Sequence, residues 1–294
     1  MPSERLPLRV TAPQFLARKR KKQPIVMVTA YDAPQGRFAD AAGVDSILVG
    51  DSVGMTTLGY DTTLPVTLDD LLHHTRAVIR GQSARRADMC PDNSPSDAER
   101  ARGARHALVV TDMPFGTYGA SVANGVKAGM RLVAEGGAQA VKLEGAGSVV
   151  LGTIRRLVDM GVPVMGHLGM TPQSIHRFGG FKVQGKTDDA AEALITGARA
   201  LEEAGAFSIV LEVIPSDVAR RITEAVSIPT IGIGAGIHCD GQVQVLHDLV
   251  GMTEGGPFKH ARRYADVGVS FQEASAAYAR EVRERQFPGA ENSF

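Results

Sequence analysis

Cysteine is nearly missing from this 294-residue sequence: Cys90 and Cys239 are its only two. Two thiols are too few for a disulfide framework, and their separation is not that of a zinc site, so the composition suits a reducing cytosol. An excess of either charge is absent as well, because Lys plus Arg and Asp plus Glu each total 32. No global basic field exists to hold nucleic acid or an anionic membrane surface. No uncharged apolar run approaches the ~18–20 residues that a membrane span needs. The opening MPSERLPLRVTAPQFLARKRKKQ has charges but no apolar h-region, so neither a signal peptide nor a membrane segment is expected. Its basic RKRKK at 18–22 stands alone and fits a solvated helix end.

What the sequence does contain is 44% hydrophobic residues, enough to bury a large core as two ordinary domains or as one α/β barrel. Short apolar, β-branched runs recur at 25–30, 46–51, 107–112, 140–145, 162–169, 181–185, 208–213 and 229–236. Between most of them lie stretches with helical spacing, at 67–80, 122–137, 148–161, 188–205 and 215–227. Strand and helix in alternation predict a parallel sheet, because parallel neighbours need a crossover connection. The runs are apolar almost throughout, as strands covered on both faces are. Eight such units fit a (β/α)8 TIM barrel, a single α/β domain over 1–294. EGG, DMG and EAG end three helices with glycine, where a left-handed cap costs least. One stretch breaks the rhythm: residues 82–106 are polar and rich in Ser, Asp, Arg and Pro, which predicts a surface insertion. C-terminal helices are expected from about residue 240, the last near 271–285, packed outside the barrel or on a partner.

Four of the apolar runs stop on or beside an acid: Asp51, Asp112, Glu144 and Glu212. In a barrel, chemistry collects at the C-terminal strand ends, so these four carboxylates share one rim. Unpartnered buried carboxylates are costly, and several on one mouth need a cation or a shared proton. The plainer alternative, that each acid caps the following helix, fits poorly, because Ser148 and Ser216 lie closer to their helix starts. Strand alternation sends Lys142 to the same side as Glu144, where its ammonium could neutralise acids or hold a substrate oxygen. No His or Cys cluster accompanies the acids, so the implied metal is hard, Mg²⁺ before Zn²⁺. A 2-oxo acid, with adjacent ketone and carboxylate oxygens, would chelate it. His167 is open to either reading, a hydrogen-bonding group at the site or a satisfied structural histidine. GIGAG at 232–236 lies at the end of what reads as the last strand and lacks a full dinucleotide-binding pattern, so tight turning is expected there. GGFKVQGK at 179–186 would suit a loop over the site.

Longer strings carry more. VTAYDAP (28–34), ILVGDSVGM (47–55), LGYDTTLPVTLDDLLHHTRAV (58–78), TDMPFGTY (111–118), GGAQAVKLEG (136–145), PVMGHLGMTPQSIHRFGGFKVQG (163–185) and IPTIGIGAGIHCDGQVQVLHDLVG (228–251) closely resemble the ketopantoate hydroxymethyltransferase family. The resemblance runs from about residue 10 to the C-terminus and departs from the family at 82–106. It implies a TIM barrel that uses Mg²⁺ to transfer a one-carbon unit from 5,10-methylenetetrahydrofolate to 3-methyl-2-oxobutanoate, in pantothenate and coenzyme A synthesis. It also implies a cytoplasmic homodecamer whose partners are small molecules rather than nucleic acid or membrane. Carried over by motif, Asp51, Asp112 and Glu144 would hold the metal, and Asp51, Ser52, Asp112 and Lys142 would meet the oxo acid. Glu212 would accept the proton. No aromatic-rich patch marks a place for the pterin ring. Two rival expectations are a Mg²⁺-dependent C–C lyase or mutase of oxo-acid enolates, and a noncatalytic barrel that only binds a ligand.

Overall fold

Eight parallel strands close on themselves in chain order: β1 Ile25–Thr29, β2 Ser46–Val49, β3 Leu108–Asp112, β4 Ala140–Glu144, β5 Val164–Gly169, β6 Ser208–Glu212, β7 Thr230–Ile233 and β8 Gly241–Gln244. The ring is sealed by β8 pairing with β1, where Val243 lies opposite Met27. The structure is a computed structural model that describes residues 9–83, 106–253 and 258–294. It divides into two compact units, one up to Gln244 and one over Val245–Phe294. The first unit is the (β/α)8 TIM barrel that the alternation of runs predicts. The polar 82–106 stretch falls almost wholly outside the described residues.

The helices form where the periodic stretches lie, and short polar side chains start several of them. α1 (Ala12–Arg20) begins with a capping box of Thr11 and Gln14, and α2 (Ala33–Ala41) begins where Asp32 accepts from the Gln35 N–H at 2.7 Å. α3 is the short Val53–Thr56 turn, and α4 spans Leu68–Ser83. α5 (Val122–Ala134), α6 (Ser148–Asp159), α8 (Asp188–Glu203) and α9 (Ser216–Ala225) follow β3, β4, β5 and β6, with the short α7 (Ile175–Phe178) just after β5. Gly137, Gly161 and Gly205 all adopt positive φ just past helix ends, as their sequence positions predict. The second unit contains α10 (Leu246–Val250) and α11 (Val267–Arg283).

Two strand assignments differ from the sequence reading. FKVQG at 181–185 is not a strand: Phe181 and Val183 are exposed and Gly185 sits at φ 75°. Strand-like residue types were present there without a sheet to bury them. The eighth strand is instead GQVQ at 241–244, and GIGAG at 232–236 ends β7 rather than the last strand.

Side-chain alternation builds the interior in layers. Val110, Ala140, Met165, Val210 and Ile231 point inward and form one apolar cluster with Met27, Leu48 and Val243. Phe15 of α1 joins this cluster from the N-terminal side, fully buried and edge-on to Phe207 at 5.6 Å. Two residues further along the same strands, the inward positions become Asp112, Lys142, His167 and Glu212. An apolar floor thus carries a polar mouth.

Candidate active site

At the mouth, strand register sets the neighbours. Asp112 lies opposite Lys142 on β4, and Glu144 lies opposite His167 on β5. All four side chains are buried, Lys142 to 4% exposure, while Glu212 keeps 17% of its side chain open. Lys142 Nζ meets Asp112 Oδ1 at 3.0 Å. His167 lies between two acids, its Nδ1 at 3.3 Å from Glu144 Oε1 and its Nε2 at 3.2 Å from Glu212 Oε2. Asp51, just beyond β2, donates its backbone N–H to Asp112 Oδ2 at 3.0 Å. Five of the six sequence-predicted residues, Asp51, Asp112, Lys142, Glu144 and Glu212, therefore gather into one network with His167. Among the alternatives weighed for His167, the structure favours a place in the site.

The GDS string has a steric logic. A Cβ on Gly50 would lie 3.0 Å from Ser52 Oγ and 3.4 Å from Asp112 Oδ2, so glycine lets both groups close on the same point. Ser52 is half-buried and shares a 2.8 Å hydrogen bond with the Tyr31 hydroxyl. Gly169 is more constrained: at φ 98°, a Cβ would come within 2.2 Å of the Glu212 carbonyl oxygen. The close approach of β5 to β6 holds Glu212 in place, and the next residue, Val213, has φ 48°. A β-branched residue in that region is strained, a feature that clusters at functional sites.

Charge explains the protonation states. Burial raises the Asp51 pKa well above the usual carboxylate range, and the negative charges of Asp112 and Glu144 raise it further against the pull of Lys142. Burial opposes the Lys142 charge, but Asp112, Glu144 and Asp51 outweigh it and hold the ammonium protonated above its ordinary value. Burial and the Lys142 charge likewise oppose protonation of His167, yet its contacts with Glu144 and Glu212 prevail and lift it to about 9. Lys142 Nζ is 3.2 Å from His167 Nδ1, so two cations sit side by side. They tolerate one another because carboxylates flank them.

Even with both cations charged, the acids outnumber them, and a divalent ion would balance the difference. Asp112 Oδ1 and Glu144 Oε1 are buried, and their partners are the cations Lys142 and His167, at 3.0 and 3.3 Å, rather than well-aligned hydrogen-bond donors. Among the described residues, no set of three or more His, Cys, Asp and Glu side chains is already arranged as a metal-binding group. Mg²⁺ does not require one, since it takes one or two carboxylates and keeps waters and substrate oxygens for the rest. The donor set therefore fits a hard cation held through few protein oxygens.

Three participants escaped sequence reasoning: Gln173, Tyr118 and Tyr31. Gln173 donates to Asp51 Oδ2 at 2.8 Å, and the Tyr118 hydroxyl accepts from the Glu144 N–H at 3.1 Å. Tyr31 is fully buried, and burial pushes its hydroxyl up to about 12, partly offset by the hydrogen bond to Ser52. Tyr31 and Tyr118 stood inside the TAYD and TDMPFGTY strings, and Gln173 inside GMTPQS, but no periodicity or strand-end rule singled them out. Asp32, by contrast, is spent on capping α2.

Comparison with known proteins identifies the family. The sequence model of ketopantoate hydroxymethyltransferase matches residues 9–92 and 96–290. A protein named 3-methyl-2-oxobutanoate hydroxymethyltransferase from Deinococcus radiodurans is 52% identical over 92% of this chain and 88% of its own length. Proteins of the same name from Dehalococcoides mccartyi and Moorella thermoacetica are each 49% identical, covering 98% and 97% of this chain and 94% and 98% of their own. Solved structures with the same fold include phosphoenolpyruvate phosphomutase from Streptomyces platensis subsp. rosaceus, with TM-score 0.56 and 15% identity over 93% of this chain and 88% of that one. Another is 2,3-dimethylmalate lyase, with TM-score 0.54 and 15% identity over 97% and 92%. At such identity these two show the barrel alone, whereas the sequence relatives decide the family. On that evidence, the chain belongs to the ketopantoate hydroxymethyltransferase family.

Proposed function

We propose that this chain transfers a hydroxymethyl group from 5,10-methylenetetrahydrofolate to 3-methyl-2-oxobutanoate, giving ketopantoate and tetrahydrofolate in pantothenate synthesis. The observation that carries this reading is near full-length identity of about half to relatives named for that reaction. The mouth supplies chemistry that fits. Asp51, Asp112 and Glu144 would hold Mg²⁺, which when bound supplies Lewis-acid polarisation of a ketone.

The protein's own groups do the rest. Lys142 and Ser52 face the oxo acid, with the Lys142 ammonium a fixed positive charge for a carboxylate or developing enolate oxygen. Glu212 takes the C3 proton. The His167 imidazolium, 3.2 Å from Glu212 Oε2, orients that carboxylate before the step. The C3 carbon then bonds to the methylene carbon of the folate as that carbon's bonds to N5 and N10 break; water supplies the hydroxyl oxygen and one proton, Glu212 returns the other, and tetrahydrofolate leaves. The apolar floor below the mouth excludes solvent from beneath the reacting carbon.

The reading extends to small-molecule partners and to a cytoplasmic homodecamer, as the family resemblance implies. Among the described residues no helix is long and apolar enough to cross a membrane. The test is a product assay. With 3-methyl-2-oxobutanoate, methylenetetrahydrofolate and Mg²⁺ the protein should form ketopantoate, and chelator should stop it. Turnover of the oxo acid without folate would favour the lyase or mutase alternative. No turnover under any of these conditions would favour a ligand-binding barrel.

A further inference from the structure

The mouth contains an amide whose every polar group is engaged. Gln173 follows β5 in the 3₁₀ turn Pro172–Ser174 and is only 9% exposed. Its backbone N–H donates to Glu144 Oε2 at 3.0 Å. Its side-chain Nε2 donates to Asp51 Oδ2 at 2.8 Å and to the Met113 carbonyl at 3.0 Å. Its Oε1 accepts from the Tyr118 hydroxyl at 2.7 Å, and that hydroxyl in turn accepts from the Glu144 N–H at 3.1 Å.

The amide has one orientation open to it. The Met113 carbonyl can only accept, so the NH₂ group must face Met113 and Asp51. The Tyr118 oxygen already receives the Glu144 N–H, so its own hydrogen is free to go to Gln173 Oε1. The circuit closes through Glu144, whose backbone and carboxylate are both held within it. Satisfied buried networks of this kind hold a single geometry, because any rotation leaves a buried group unpaired.

We infer that Gln173 is a positioning residue that locks one oxygen each of Asp51 and Glu144 and thereby sets the affinity of the site for its divalent cation. With Asp51 Oδ2 and Glu144 Oε2 held by Gln173, the other oxygen of each is left for the site. Glu144 Oε1 lies outside the Gln173 circuit, 3.3 Å from His167 Nδ1. Hydrogen bonds that orient carboxylate ligands in this way tune metal binding without touching the metal. The inference rests on the cation reading given above.

The test uses Mn²⁺ as a probe of the full chain without substrate, with binding followed by calorimetry or electron paramagnetic resonance. Gln173→Met keeps the length but removes both amide groups, and should weaken Mn²⁺ binding roughly 10- to 100-fold. In the steady state, the Mg²⁺ concentration needed for half-maximal rate should rise by more than kcat falls. Tyr118→Phe removes only the hydroxyl and should weaken Mn²⁺ binding by about 2- to 10-fold, the scale of one hydrogen bond. It serves as the deciding variant if Gln173→Met does not fold. Wild-type Mn²⁺ affinity in the folded variants overturns the inference. Failure of the unaltered chain to bind Mn²⁺ overturns the cation reading itself, and the inference with it.

Discussion

Replacing Lys142 with methionine removes one positive charge from the most charge-dense part of the barrel. Lys142 is 4% exposed and lies 3.0 Å from Asp112, and its charge is also felt by Asp51 and Glu144. Methionine has similar volume and leaves no cavity, so the effect is electrostatic. Breaking a buried ion pair from one side costs roughly 3–5 kcal/mol, because the partner stays buried and uncompensated. In a domain of about this size each kcal/mol moves the melting temperature by about 2–4 °C, so the metal-free variant should melt roughly 6–20 °C lower. Mg²⁺ should recover more stability in Lys142→Met than it adds to the wild type, since it restores the missing charge. Thermal melts with chelator and with Mg²⁺, on both proteins, make the comparison. If Lys142→Met melts within about 2 °C of wild type and responds equally to Mg²⁺, the mouth is not held by charge balance.

Other perturbations separate chemistry from scaffold. Glu212→Gln should keep oxo-acid and Mg²⁺ binding but lose about 10² to 10⁴ in kcat, the scale of a general base, as measured by steady-state kinetics. Gly169→Ala places a methyl 2.2 Å from the Glu212 carbonyl at a φ of 98°, so it should lose more than about 1 kcal/mol in denaturant unfolding and lower kcat as well. Phe15→Ala, far from the mouth, should cost about 3–5 kcal/mol in the same unfolding measurement while kcat of the folded protein holds.

The acids at strand ends were legible because their chemistry follows the strand period. Asp112 continues the inward series from Val110, and Glu144 continues it from Ala140 and Lys142, so alternation alone faces them to the mouth. The closing strand was not legible. GQVQ has one apolar residue, Val243, and its Gly241 is required because a Cβ would sit 2.4 Å from the Ile25 carbonyl oxygen. It becomes a strand because β1 and β7 leave a slot for it. FKVQG has the better composition and no such slot. Gln173 escaped for a related reason: its burial comes from β2, β3 and β4 converging on one turn, and nothing in the local sequence records that meeting.

The central claim is that this mouth converts a bound 2-oxo acid into a carbon nucleophile by removing its C3 proton. Proton NMR in D₂O tests it directly, with 3-methyl-2-oxobutanoate and Mg²⁺ but no folate. The account predicts that the wild-type protein washes deuterium into C3, that chelator stops the exchange, and that Glu212→Gln abolishes it. An absence of exchange from protein that forms ketopantoate, or undiminished exchange in Glu212→Gln, would contradict it.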